Sequence, residues 1–213
     1  MNTFKRTIKA AVRSPYYWRW IITTMGGALS ALFVSQLILL FAFRLPFLQG
    51  YGFGVALGLS LGACIGGFQW WILRKKFNRA YWWIVATALG TLVSAFFQDV
   101  IVENWFDSLF PQLLVSAIFS GLAVGFIQWM FLAPKVSKAL LWIPLSMLAQ
   151  LLAQIPILPT IPIDRTTAPS ATFMIQFIAF VVGQIMLNGL ILGAVTGVPM
   201  SRFLQQQDEK RQP

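Results

Sequence analysis

Two pairs of side-chain amides sit where chemistry inside an apolar interior would need them. Gln150 and Gln154 stand four residues apart in one long apolar run, and Gln184 and Asn188 stand four apart in the next. Four-residue spacing puts each pair on one face of a helix. Gln154 falls about 18 Å along its helix from Trp142, at ~1.5 Å per residue, near the middle of a bilayer. An amide at that depth needs a partner or a water-filled cavity. The two pairs therefore either clamp one another or line a site for a small polar solute. Asp99 is the ionisable group inside an apolar run, and its place near the end of that run favours contact with water. The usual catalytic constellations are missing. There is no histidine, and Cys64 is the single cysteine, so neither a Ser-His pair nor a His/Cys metal site can be assembled. The glycine tracts lie in apolar runs and not between a strand and a helix, so they are not phosphate cradles. No metal, cofactor or enzymatic activity is expected.

Glycine, glutamine and tryptophan recur in register. Gly62, Gly66, Gln69, Trp70, Trp83 and Ile84 return as Gly121, Gly125, Gln128, Trp129, Trp142 and Ile143, each at the same offset (128 − 69 = 59). Trp20, Ile21, Thr24 and Gly27 match Trp83, Ile84, Thr87 and Gly90 (83 − 20 = 63). The last two runs repeat the pattern loosely: Ser146 in the fifth matches Thr87, and in the sixth Gly189 and Gly193 stand for Gly62 and Gly66, with Thr196 where Gln69 would be. The unit is an apolar run that begins with Trp, followed by one that ends in Gly-x-x-x-Gly-x-x-Gln/Thr. Small residues four apart let helix backbones approach closely in lipid, so these glycines, with Gln69 and Gln128, are expected to be helix-packing positions. Trp20, Trp70, Trp83, Trp129 and Trp142 flank basic turns and are expected to anchor the helices at the membrane interface.

The elements that must carry these residues are set by composition. Of 213 residues, 58% are hydrophobic and only 10% charged, against roughly a quarter charged in soluble domains. Too little charge remains to cover a surface in water. Six apolar runs of about the length a bilayer core requires are expected: 18–43, 51–73, 81–102, 111–133, 139–158 and 171–199. Before them, residues 1–17 form a basic segment in which Phe4, Ile8 and Val12 share a helical face, expected to lie on the membrane surface. After them, residues 200–213 read as a polar, frayed tail. The net charge of +10 does not indicate nucleic acid, because of where it sits. With six spans, every one of the 16 Lys and Arg except Arg44 and Arg165 falls on the side of the two termini. Positive charge stays cytoplasmic, so both termini are expected there, in a bacterial plasma membrane or a thylakoid membrane.

The run from Gln69-Trp70-Trp71-Ile72-Leu73-Arg74 through a basic turn to Tyr81-Trp82-Trp83 and Gly90 resembles a repeat of uncharacterised multi-pass membrane proteins, many of them cyanobacterial. The resemblance implies helical hairpins in a membrane and carries no activity. The expected fold is all-α: a polytopic membrane protein of six transmembrane helices in three hairpin repeats, with an N-terminal interfacial helix. The expected function is that of an accessory or assembly protein packing against lipid and other membrane proteins. The alternative is a small-solute transporter or channel using Gln150, Gln154, Gln184 and Asn188.

Overall fold

The computed structural model describes residues 9–42, 51–98, 100, 109–136, 139–154 and 171–209. Residues 1–8 of the basic segment, Asp99, the outer turn at 103–107 and the proline-rich stretch 155–170 lie outside the described residues. The described chain is helical, without strands. Its helices are α1 (Pro15–Ala42), α2 (Tyr51–Leu73), α3 (Trp82–Phe97), α4 (Leu109–Leu132), α5 (Trp142–Gln154, entered through a 3-10 turn at Ala139–Leu141) and α6 (Ala171–Glu209). Prolines fall where helices tolerate them. Pro15 opens α1, and Pro111 and Pro144 lie in the first turns of α4 and α5, where the missing N–H has no partner to lose. Ser14 caps α1 by accepting from the Tyr16 backbone N–H at 3.3 Å.

α1, α2, α4 and α6 are long and apolar enough to cross a membrane, while α3 and α5 are shorter apolar helices. Their outsides are those of a lipid-facing protein: Phe33 is 70% exposed, Ile22 65%, and Trp71, Met130, Leu140 and Leu141 are exposed as well. In water such a surface would drive aggregation.

Each helix packs on its sequence neighbours, and α6 returns to pack on α1, closing a ring. Glycines set how closely the ring closes. A Cβ added to Gly66 would lie 3.0 Å from the Ile84 Cα, one at Gly125 3.1 Å from the Ile143 Cα, and one at Gly193 2.9 Å from the Ile21 Cα. The matched isoleucines of α3, α5 and α1 are thus touched by the matched glycines of α2, α4 and α6. One turn away, Gly62 meets Ala88, Gly121 meets Met147 and Gly189 meets Met25 in the same way. Gly27 on Ile65 and Gly90 on Val124 make the alternate interfaces, α1 with α2 and α3 with α4.

The expected tail is a correction. α6 runs through Pro199 to Glu209, and Met200 and Leu204 are fully buried, with Phe203 nearly so. The reason lies in the register. Met200 and Leu204 take the places that Leu73 and Phe77 hold after Gln69 (200 − 73 = 204 − 77 = 127), and that Leu132 and Val136 hold after Gln128. In the first two cases the chain turns back there, with matched hydrogen bonds from Lys76 and Phe77 to the Leu73 carbonyl and from Lys135 and Val136 to the Leu132 carbonyl. In α6 the helix continues instead.

Leucine at Gly66, Gly125 or Gly193 is expected to lower stability by about 3 kcal/mol through overpacking against backbone. Gly67 and Gly183, which meet nothing within 4 Å, should accept leucine with little change. Melting temperature and monodispersity in a mild detergent check both outcomes.

Candidate functional site

Trp20, Trp83 and Trp142 begin α1, α3 and α5 and are 0%, 0% and 1% exposed. Their rings meet one another at centroid distances of 5.8, 6.3 and 5.6 Å, all edge to face, the arrangement the aromatic quadrupole favours. Toward the basic turns the core continues through Leu73, Leu132 and Met200, then Phe77, Val136 and Leu204. The middle of the ring is therefore filled at its basic end. These three tryptophans are not lipid-facing anchors, as their places beside basic turns implied. Trp70 and Trp129 are half-buried and pack against this core. Among the described residues, the tryptophans that do face outward are Trp18, Trp71 and Trp82.

A buried indole N–H must donate to something, and here it finds the amides of the glycine helices. Trp83 Nε1 donates to Gln69 Oε1 at 2.8 Å, Gln69 Nε2 donates to Thr24 Oγ1 at 2.9 Å, and Thr24 Oγ1 donates to the Trp20 carbonyl at 2.8 Å. The same chain recurs one unit on. Trp142 Nε1 donates to Gln128 Oε1 at 2.8 Å, Gln128 Nε2 to Thr87 Oγ1 at 2.9 Å, and Thr87 Oγ1 to the Trp83 carbonyl at 2.8 Å. Indole is a donor only, which fixes which end of each amide faces it. Gln69 and Gln128 are 4% and 5% exposed, and each ties three helices together.

The third joint is incomplete. Trp20 Nε1 donates to Thr196 Oγ1 at 3.0 Å, and Thr196 Oγ1 donates to the Leu192 carbonyl at 2.6 Å. Threonine is too short to span onward to Ser146, the counterpart of Thr24 and Thr87. Ser146 is 5% exposed, and its hydroxyl has no hydrogen-bond partner. Among the described residues, α5 and α6 also form the sparsest of the six neighbouring interfaces.

The four amides of the solute-site expectation all lie on this loosely joined pair. Gln150 and Gln154 on α5 and Gln184 and Asn188 on α6 are half-buried. Among the described residues no hydrogen bond joins any two of them, and the carbonyl oxygens of Gln154 and Asn188 are buried without a donor.

At the basic end, the last turn of α6 is held from two sides. Asp208 is ion-paired with Lys76 and accepts from the Tyr16 hydroxyl at 2.6 Å. Gln207 Nε2 donates to the Lys135 carbonyl at 3.3 Å. The hydrogen bond to Asp208, then that to Tyr16, raises the Lys76 pKa above the usual lysine value, so it stays charged at neutral pH. Lys135 lies over the Phe131 ring at 3.2 Å, and burial lowers its pKa.

Comparison with protein-family models, with curated proteins and with solved structures returns no match. What the site does must follow from its geometry. Apart from the Ser146 hydroxyl, its donors and acceptors are spent on one another or on helix backbone, and the arrangement joins helices and fills the middle of the ring. Sequence matching had paired Thr24, Thr87 and Ser146 without giving them a role. The available signal was their recurrence four residues after each buried tryptophan.

Gln128→Leu strands the Trp142 indole N–H and takes away the donor to the Thr87 hydroxyl, which keeps its bond to the Trp83 carbonyl, and is expected to cost about 1–3 kcal/mol, the penalty of an unsatisfied buried group. Thr87→Ala should cost about 1 kcal/mol. Ser146→Ala removes a hydroxyl that already lacks a partner and should be neutral or stabilising. Thr196→Gln should raise the melting temperature by restoring the bridge to Ser146. Thermal unfolding followed by tryptophan fluorescence in detergent reads all four.

Proposed function

We propose that this chain is a non-catalytic integral membrane protein: a six-span bundle of three hairpin repeats that serves as an accessory or assembly component, packing against lipid and other membrane proteins. The observation that carries the reading is the tryptophan hub. Five of the buried polar side chains, Gln69, Gln128, Thr24, Thr87 and Thr196, are engaged in helix joining, and no reactive group stands among them. The apolar surface, with Phe33, Ile22 and Met130 outermost, is what a partner or lipid would meet. The matched glycine contacts of α2, α4 and α6 support the threefold reading. The charge bias of the turns supports cytoplasmic termini, in a bacterial plasma membrane or a thylakoid membrane.

A second reading, transport of a small polar solute, is favoured by one observation: the Gln154 and Asn188 carbonyl oxygens are buried without donors, on the two neighbouring helices that pack most sparsely among the described residues. Such groups in a membrane interior mark polar pathways. Asn188→Leu with Gln154→Leu should leave a scaffold intact, and should abolish any solute uptake by reconstituted vesicles.

The test is isolation from native membranes in a mild detergent, together with cysteine labelling. In a Cys64→Ala background, cysteines at Asn78 and Gln205 should be labelled from the cytoplasmic side alone. The chain should migrate as part of a larger complex. Labelling of the two positions from opposite sides would overturn the six-span reading, and a lone monomer carrying a solute would overturn the accessory role.

A further inference from the structure

Two grooves open on the outside of the ring at its basic end, one between α1 and α2 and one between α3 and α4. Their volumes are about 500 and 540 Å³. They are the same groove at matched positions: Ile22 and Trp71 wall the first, Val85 and Met130 the second (85 − 22 = 63; 130 − 71 = 59). Each combines an apolar wall with a cationic rim. The first has Arg19 and Lys75, the second Arg79 and Lys135. Arg19 and Arg79 form no ion pair among the described residues. The ion pair of Lys76 with Asp208 sits at the end of the first groove, so its cationic character is counted on Arg19. Among the described residues no carboxylate lines either groove. The walls are not sealed from the surroundings: Ile22 and Trp71 are 65% and 59% exposed, and Met130 is 59% exposed.

We propose that each groove seats one anionic phospholipid, its phosphate on the cationic rim and an acyl chain along the apolar wall. The inference rests on the reading that the chain spans a membrane. It goes further by naming the lipid class and two places. The chemistry selects the class. A phosphodiester meets arginine or lysine in both grooves. In the second groove the ammonium of a zwitterionic head group would meet the same cations with no described carboxylate in the lining to receive it, and in the first the nearby Asp208 is already engaged by Lys76 and Tyr16, so a lipid with a net negative head group is preferred. Free phosphate would satisfy the rim but leave the apolar wall to the bulk bilayer.

The experiment is native mass spectrometry of the full chain in mild detergent, titrated with phosphatidylglycerol or with phosphatidylcholine. Two phosphatidylglycerol adducts should persist at activation that strips phosphatidylcholine. Arg19→Gln with Lys75→Gln should remove one adduct, and Arg79→Gln with Lys135→Gln the other, at about fivefold in affinity for each cation lost. In each double variant the untouched groove reports that the protein is still folded, because its own adduct remains. Millimolar inorganic phosphate should displace neither lipid. Equal retention of the two lipids would overturn the proposal, as would an adduct count unchanged by either variant, or displacement by free phosphate. A folded, membrane-inserted chain without adducts overturns this inference alone. A chain that does not insert overturns the reading beneath it.

Discussion

A tryptophan indole withdrawn from water carries one N–H that must find an acceptor, and three such groups meet at the centre of this protein. The acceptor for Trp83 is the Gln69 amide, which leaves the amide's own N–H to be satisfied. Thr24 accepts it and hands its hydroxyl proton to the Trp20 carbonyl one turn back on α1. Each satisfied group creates a need in the next, and the series ends only at a helix backbone. That dependence dictates adjacency: α2 must lie between α1 and α3, and α4 between α3 and α5. In surroundings of low dielectric an unsatisfied donor is costly, so the network discriminates against other orders of the same apolar helices.

The glycines answer a different need. Lipid tails are as apolar as leucine, so helices in a bilayer gain little from burying apolar side chains against each other and depend on close packing. Matched glycines on α2, α4 and α6 bring those helices against the isoleucines that follow the central tryptophans. The contact of backbone with backbone places Gln69 and Gln128 within reach of the indoles. Large rings in the middle and no side chain at the perimeter contacts are two halves of one packing solution. The third joint departs from it, since Thr196 reaches Trp20 and not Ser146, and the same pair of helices carries the amide oxygens of Gln154 and Asn188 that lack donors. The irregular polar chemistry found among the described residues lies on the two helices that the network joins most loosely.

Much of this was legible in the residues before any coordinates. Gly62, Gly66 and Gln69 recur in register as Gly121, Gly125 and Gln128, and the structure uses both sets for helix packing. Where Trp20, Trp83 and Trp142 point was not legible. A helix that is apolar on every side has no amphipathic stripe to tell its inner face from its outer one, and a tryptophan beside a basic turn suits an interfacial belt as well as a buried hub. The alternation Trp82-Trp83 illustrates the ambiguity, one ring exposed and the next enclosed. The extension of α6 past Pro199 was masked by its polar composition. Its signal was the matched register of Met200 and Leu204 with Leu73 and Phe77, which composition alone does not reveal.

The central claim is that the indoles of the hub are bonded donors inside the ring and not interfacial anchors. Hydrogen exchange of the indole N–H groups, read by nuclear magnetic resonance on protein labelled with nitrogen-15 at tryptophan and held in detergent micelles, tests it most directly. The account predicts strong protection at Trp20, Trp83 and Trp142, with rapid exchange at Trp18, Trp71 and Trp82. Exchange at the three central indoles as fast as at the outward ones would contradict it.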